Sequence, residues 1–462
     1  MTLPYVPPLN DQSGLITGFI IALCHPDAAT GFNNRMQQFG RPEGVLIITR
    51  TDLHVSTPPG RIIATMCVAE VLSMTAFSGF AALLPALAPE FGLNNSQAGL
   101  ISGTVLGGYM AGVPFLGALT DRVDARRVYA VAAIVAASGA LGFSFFASGF
   151  WSALLCQALI GVGLAGTYIP GMKALTDRVD GPWQSRSAAI YGAMFGAGTA
   201  GSLILCGAIA GAFGWRSAFV VGSVGPLLAG TIIMFALKPS KPQPAARRAL
   251  LDFRPVLRNA AVRPYLFATA AHSWELHGTR VWLVAFLTFA AGLRGDADSV
   301  PGSVALTAAL IILLGPIASV SGNEFALRFG RARMMTIGAT GSAILSCAIG
   351  FLAGSPWIGL LVFAVVHMYF VGIDAGTMTA GVVNAADPAH RGATMALYSL
   401  LGFGTGFISP AVFGAVLDLA GGRGEHMAWG FAFASLGVVA LLGVIPARML
   451  AKREKFKHII RA

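Results

Sequence analysis

The chain has 462 residues, of which 55% are hydrophobic and only 11% are Asp, Glu, Lys or Arg, with a formal net charge of +11. A globular chain carries about 25% charged residues. At 11%, a soluble molecule of this length could not cover its surface, which excludes a soluble enzyme, a disordered chain and a nucleic-acid binder. The apolar residues instead come in runs near the ~20 residues that cross a hydrocarbon core of roughly 30 Å.

Residues 1–60 come first. Their apolar run, Leu15–Cys24, is too short to span a bilayer, and no basic segment precedes it as in a secretory signal. A disordered or surface-lying N-terminal extension is expected there. Twelve apolar spans follow, at 64–86, 97–119, 128–148, 152–174, 188–211, 216–237, 265–287, 303–321, 334–353, 357–382, 393–417 and 428–449. A backbone in lipid must satisfy its own hydrogen bonds, so each is expected to be a helix. The 58 glycines fit helices that approach one another closely. The cysteines, Cys24, Cys67, Cys156, Cys206 and Cys347, have no CxxC spacing. They read as small buried hydrophobes, and no metal site is expected.

The basic residues give the orientation. With both ends of the bundle on the cytoplasmic side, the cytoplasmic connections and the tail from Ala447 hold 23 Lys and Arg. The outer loops hold three, Arg216, Arg294 and Arg423. This is a strong positive-inside asymmetry. The net charge is therefore a topology signal and a contact surface for anionic lipid heads. The expected location is the cytoplasmic (inner) membrane, with both termini cytoplasmic.

A repeat divides the spans. Ala165-Gly166-Thr167, Gly171 and Asp177 recur as Ala375-Gly376-Thr377, Gly381 and Asp387, at a constant offset of 210. Arg186, Tyr191 and Phe195-Gly196-Ala197-Gly198 follow the first copy; Arg391, Tyr398 and Phe403-Gly404-Thr405-Gly406 follow the second. Spans 4–5 thus match spans 10–11. The expected fold is an all-α membrane protein of twelve transmembrane helices in two pseudo-symmetric six-helix bundles. Its expected parts are the extension 1–60, an N-terminal bundle 61–237, a basic linker 238–263, a C-terminal bundle 264–450 and a tail 451–462. Parallel repeats of this kind mark one large transporter architecture.

Between spans 2 and 3 runs Gly117-Ala-Leu-Thr-Asp121-Arg122-Val-Asp124-Ala-Arg126-Arg127. It resembles the loop motif of the major facilitator superfamily: Gly, three residues, an Asp-Arg pair, then Gly and two basic residues. Asp124 stands in place of that Gly, a departure expected to weaken only the turn. A degraded copy keeps Gly330, Arg331 and Arg333, with Leu327 where the acid would stand. The resemblance covers residues 61 to 450. A second, one-helix resemblance links His272-Ser-Trp274-Glu275-Leu-His277-Gly-Thr-Arg280-Val-Trp282 to the cyanate/nitroimidazole permease-like branch. The superfamily resemblance implies that spans 1, 4, 7 and 10 line a substrate cavity between the halves. It also implies that Asp121, with Arg122 and Arg126, forms a conformational switch, the acid docking near Gly392–Thr394 at the start of span 11 in one access state. Gln157 replaces the span 4 Arg common in proton-coupled members, and span 5 lacks the Gly-Pro pair of drug antiporters.

Ionisable residues well inside spans are Glu70 on span 1, His272, Glu275, His277 and Arg280 on span 7, and His367 and Asp374 on span 10. A charge at the bilayer centre costs at least about 2.5 kcal/mol, so these side chains face a cavity or a partner. Asp374 stands where the other half carries Leu164, so the fold does not require the acid. The candidate chemistry is Arg280 holding an anionic group while Asp374, Glu275 or Glu70 carries a coupling proton, with the histidines assisting. The bland alternative is a structural network in which Glu275 and Asp374 neutralise Arg280. The expected function is secondary active transport of a small solute, with a small anion as the candidate class, by alternating access with proton coupling. The alternatives are efflux of organic compounds and a non-transporting sensor. No GxxxxGK[ST] loop is present, so neither ATP use nor a cofactor is expected. A membrane enzyme would want its cluster near one interface rather than at mid-depth. The expected partners are a small-molecule substrate, a proton and membrane lipid, with a monomeric chain.

Overall fold

The computed structural model describes residues 59–180, 182–240, 253–295 and 301–461. Most of the expected N-terminal extension and residues 241–252 of the linker lie outside the described residues. Every regular element among the described residues is helical, and twelve spans are present. They are span 1, Pro59–Ser73 and Gly79–Glu90; span 2, Asn95–Leu119; span 3, Ala125–Phe146; span 4, Phe150–Thr176; span 5, Pro182–Phe213; and span 6, Trp215–Ala236. After a short helix at Arg254–Arg258 come span 7, Arg263–Gly292; span 8, Pro301–Ile312 and Leu314–Phe329; span 9, Arg331–Ile349; span 10, Trp357–Gly372 and Ala375–Ala385; span 11, Arg391–Leu419; and span 12, His426–Leu442, continued as Val444–Arg461. Among the described residues, ten helices are long and apolar enough to cross a membrane. Of the other two spans, span 1 is broken and span 7 carries the ionisable cluster.

Three differences from the expected spans have physical causes. Span 1 unwinds between Ser73 and Gly79. Backbone groups freed there find partners on neighbouring spans: the Ser78 N–H donates to Ser202 Oγ, Ser202 Oγ donates to the Thr75 carbonyl, and Thr75 Oγ1 donates to the Gly222 carbonyl. That is how a non-helical stretch survives at membrane depth. Span 10 breaks at Ile373–Asp374, with Asp374 as the residue that opens the second piece. Span 8 runs to Phe329 rather than residue 321, because Asn323, Glu324 and Arg328 end the apolar run without ending the helix.

The halves meet through spans 2 and 11. A Cβ on Gly99 would stand 2.0 Å from the Pro410 carbonyl oxygen, and one on Gly103 2.2 Å from that of Phe407. Only glycine permits this backbone approach. Cys156 and Cys206 are buried as expected, but Cys347 is exposed on the flank of span 9. Its neighbour Ser346 takes the inward face instead.

Asp124 does more than occupy a turn. It caps span 3, accepting from the Arg126 N–H at 3.0 Å, and pairs with the Arg126 guanidinium at 2.9 Å. Arg126 in turn donates to the Leu237 carbonyl at the end of span 6, at 2.5 Å. The two side chains therefore fasten span 3 to span 6 within one half, where the loop motif alone suggested a weakened turn and a mobile switch.

A candidate substrate cavity and a separate buried acid cluster

Span 7 sets the arrangement. Glu275 and Arg280 are five residues apart, and at 3.6 residues per turn they point about 140° apart around the helix. Glu275 and His272 share one face, His277 and Arg280 the other. The first face turns into the C-terminal half and the second toward the N-terminal half.

On the second face lies a cavity of about 40 Å³ between the halves, walled by the span 1 break at Phe77 and Ser78, Gln157 of span 4, Phe195 of span 5, and His277 and Arg280. It has room for a few waters. No hydrogen bond or ion pair holds the Arg280 guanidinium among the described residues, and its Nε is buried without a partner. Gly315 of span 8 makes room for it: a Cβ there would stand 3.3 Å from the guanidinium. Gln157 is fully buried, and both its Oε1 and Nε2 lack partners. His277 is anchored at 2.9 Å by Nδ1 to the Ser273 carbonyl, so Nδ1 carries the proton and donates.

On the first face, Glu275 is 2% exposed and both its oxygens accept hydroxyl hydrogen bonds, from Ser342 at 2.7 Å and Ser346 at 2.6 Å. Ser346 spends its one proton on Glu275, so it accepts from His367 Nε2 at 2.7 Å. The result is a chain from His367 through Ser346 to Glu275. Beside it, His272 Nδ1 lies 2.9 Å from Asp374 Oδ1, within ion-pair distance though off the line of a hydrogen bond. A pocket of about 10 Å³ touches His272, Glu275, Ser342 and Asp374, enough for one water. Neither carboxylate pairs with Arg280, so the network in which they neutralise it is not formed.

Glu70 stands apart from both. It is fully buried inside the N-terminal half, and its Oε2 accepts from Tyr191 Oη at 2.7 Å while Oε1 has no partner. Of the seven mid-membrane candidates, the structure thus brings Arg280 and His277 to one cavity and His272, Glu275, His367 and Asp374 to a second cluster, and leaves Glu70 in a third place.

Asp121 has no hydrogen bond or ion pair among the described residues, so its expected docking on the start of span 11 is not made. Arg122 is exposed and Arg126 is tied to span 6. The opposite end is latched instead by Asp418, at the end of span 11. Its carboxylate accepts from the N–H groups of Asn95 and Ser96 at 3.0 and 2.9 Å, and from their side chains at 2.7 and 2.8 Å. A carboxylate at a helix N-terminus is favourably placed. The sequence reading passed over Asp418 because it sits at a span end, where charges are common. It also passed over Ser342 and Ser346, since serines in a membrane helix carry no signal by themselves. Contacts between the halves reach from this latch to the Tyr109 and Phe403 rings, 4.5 Å apart.

The chain is similar to proteins named as transporters. A hexuronate transporter of Bacillus subtilis is 24% identical over 406 residues, which cover 82% of this chain and 93% of the relative. A protein of Cupriavidus necator named "Probable sulfoacetate transporter" is 22% identical over 416 residues, covering 83% of this chain and 93% of the relative. Among solved structures, a bacterial homolog of the human lysosomal transporter Spinster, in an inward-facing and unoccupied conformation, matches with a TM-score of 0.69 at 14% identity, covering 86% of this chain and 98% of the other. The family model of the Major Facilitator Superfamily matches residues 66–319. With twelve spans in two bundles and a cavity between them, the chain belongs to the Major Facilitator Superfamily.

Proposed function

We propose that this membrane transporter carries a small organic anion by alternating access, coupled to proton movement, in the cytoplasmic membrane with both termini inside. The observation that carries the reading is Arg280, a permanent cation in the cavity between the halves with no carboxylate of the described residues in ion-pair distance. A buried charge needs a counter-charge, and a substrate anion is the group that would supply it. The relatives named for hexuronate and sulfoacetate carry anions too. The latch at Asp418 and the undocked Asp121 support a cytoplasm-open state. The orientation rests on the Lys and Arg asymmetry.

Proton coupling is assigned to the His272–Asp374 pair, because Asp374 Oδ1 accepts no hydrogen bond, lies 2.9 Å from a titratable ring and borders a space for water, whereas both oxygens of Glu275 are taken by serine hydroxyls. The organic-efflux reading draws its support from the aromatic wall at Phe77 and Phe195.

Uptake of labelled acids into proteoliposomes decides between them. Wild-type protein should accumulate at least one carboxylate, and Arg280→Gln should weaken its binding by about thirtyfold or more, the loss on removing one partner of a buried charge pair. Accumulation of neutral apolar compounds with no response to acids would replace this reading with efflux.

A further inference from the structure

Gln157 is the second group in the cavity that the fold leaves unmatched. A buried amide with donor and acceptor both unpaired costs about 1–3 kcal/mol, and side chains in native structures seldom stay so. A ligand that satisfies both atoms must present a group that both donates and accepts. A hydroxyl does both.

The charges of the wall narrow the class further. Among the described lining residues Arg280 is the one permanent cation, and no Asp, Glu or Lys stands beside it. His277 gives its Nδ1 proton to the Ser273 carbonyl and offers the cavity an Nε2 lone pair in the neutral ring. One negative charge is thus matched, and a second would enter a desolvated site unpaired. The rest of the wall is largely carbon, as at Phe77, Phe195 and Ile312, with the hydroxyls of Ser78, Ser102 and Thr199 among it. Those of Ser102 and Thr199 already donate to carbonyls of their own helices, at Ala98 and Phe195.

We infer that the substrate is a hydroxylated monocarboxylate, its carboxylate on Arg280 and a hydroxyl read by the Gln157 amide. This rests on the anion reading above and names its class. It sides with the hydroxyl-bearing monoanion of a hexuronate against a dianion such as sulfoacetate. Gln157 is then a specificity residue: a site built to bond a hydroxyl rejects the analogue that lacks it far more strongly than an apolar site rejects an extra one.

The test uses the full chain in lipid nanodiscs and measures dissociation constants by calorimetry. The probes are lactate, propionate and malonate, and gluconate, hexanoate and adipate. The hydroxy acid should bind about tenfold or more tighter than its deoxy analogue in at least one series, with the dicarboxylate weakest. Gln157→Met keeps the length and removes both hydrogen-bonding atoms. It should erase the preference by weakening the hydroxy acid alone, and Gln157→Asn should retain part of it. Wild-type discrimination decides the matter even where a variant does not fold. Equal binding of hydroxy and deoxy acids, tighter binding of the dicarboxylate, or a preference that survives in Gln157→Met overturns this inference while leaving the anion reading intact. Carboxylates that bind no better to wild type than to Arg280→Gln overturn both.

Discussion

Two regions of span 7 hold charges of opposite fate. On one face, Glu275 has both oxygens filled by Ser342 and Ser346, and Asp374 has His272 beside it. On the other, Arg280 and Gln157 reach a cavity with nothing to meet them. All of these are costly groups to place in a membrane. The difference is that Glu275 is filled by hydroxyls and Asp374 has a titratable ring within ion-pair distance, though its Oδ1 accepts no hydrogen bond, whereas the described residues supply no partner to Arg280 or Gln157. A charge inside a bundle therefore identifies a site only after its partners are known, and an unmatched group is the stronger pointer to a ligand.

The sharpest way to break this comparison is to treat the two regions as one. In Asp374→Asn, binding and exchange of substrate should persist, since the residue does not reach the cavity between the halves. Accumulation driven by a pH gradient of one unit should fall from about tenfold to none, because one pH unit per coupled proton is worth about 1.4 kcal/mol. Accumulation that survives would move the coupling role to Glu275 or Glu70. Stability gives an independent reading. Asp374→Asn and Arg280→Gln share no partner, so their effects on unfolding should add to within about 0.5 kcal/mol. A rescue of one by the other would mean that the two groups do neutralise each other.

A smaller effect tests access. Asp418 latches the halves at the Asn95 end through four hydrogen bonds to its carboxylate. Bonds to a charged group contribute about 1.5–3 kcal/mol each, while the apolar contacts between spans 2 and 11 remain in Asp418→Ala. In a background without native cysteines, a thiol at Ser102 on the cavity wall should react about fivefold faster with an impermeant reagent added from outside, as the latched state loses population. A thiol at Ser342, inside the C-terminal half, should not respond. Equal acceleration at both positions would show that the cavity and the acid cluster share one entrance.

Much of this was legible in the chain. Run lengths gave the twelve spans, and the 210-residue offset gave the two halves, because lipid admits so few backbone arrangements. The seven mid-membrane ionisable residues stood out for the same reason. Their division into separate sites was partly legible too, since a separation of five positions from Glu275 to Arg280 implies opposite faces of span 7. The breaks in spans 1 and 10 were hidden, because unwinding at Thr75 and Asp374 depends on partners supplied by spans 5, 6 and 7 that lie far away in sequence. The same holds for Asp418, whose role exists only once span 2 begins against it.

The smallest effect lies outside the membrane, at the charge that replaces a glycine. Asp124 caps span 3 and binds Arg126, which fastens to the end of span 6. Burial pushes its carboxyl up, but the Arg126 N–H and guanidinium and the Ser240 N–H outweigh burial and hold it below the usual carboxylate range. A group held low in the folded state contributes stability in full above the unfolded value, about pH 4, and loses it as pH falls through the lower folded value. Asp124→Ala should therefore cost about 1 kcal/mol at neutral pH, the usual worth of a helix cap. The gap to wild type should stay constant from pH 8 to about pH 5 and close below about pH 4. Asp124→Asn separates the two contributions, since Asn caps as well as Asp but cannot pair with Arg126. If the cap dominates, Asp124→Asn should unfold close to wild type in detergent. If the ion pair dominates, it should unfold like Asp124→Ala, and this largely buried pair would then matter more than the ~0–1 kcal/mol typical of exposed ones. Neither variant should change anion binding, because nothing at Asp124 reaches the cavity where Arg280 stands.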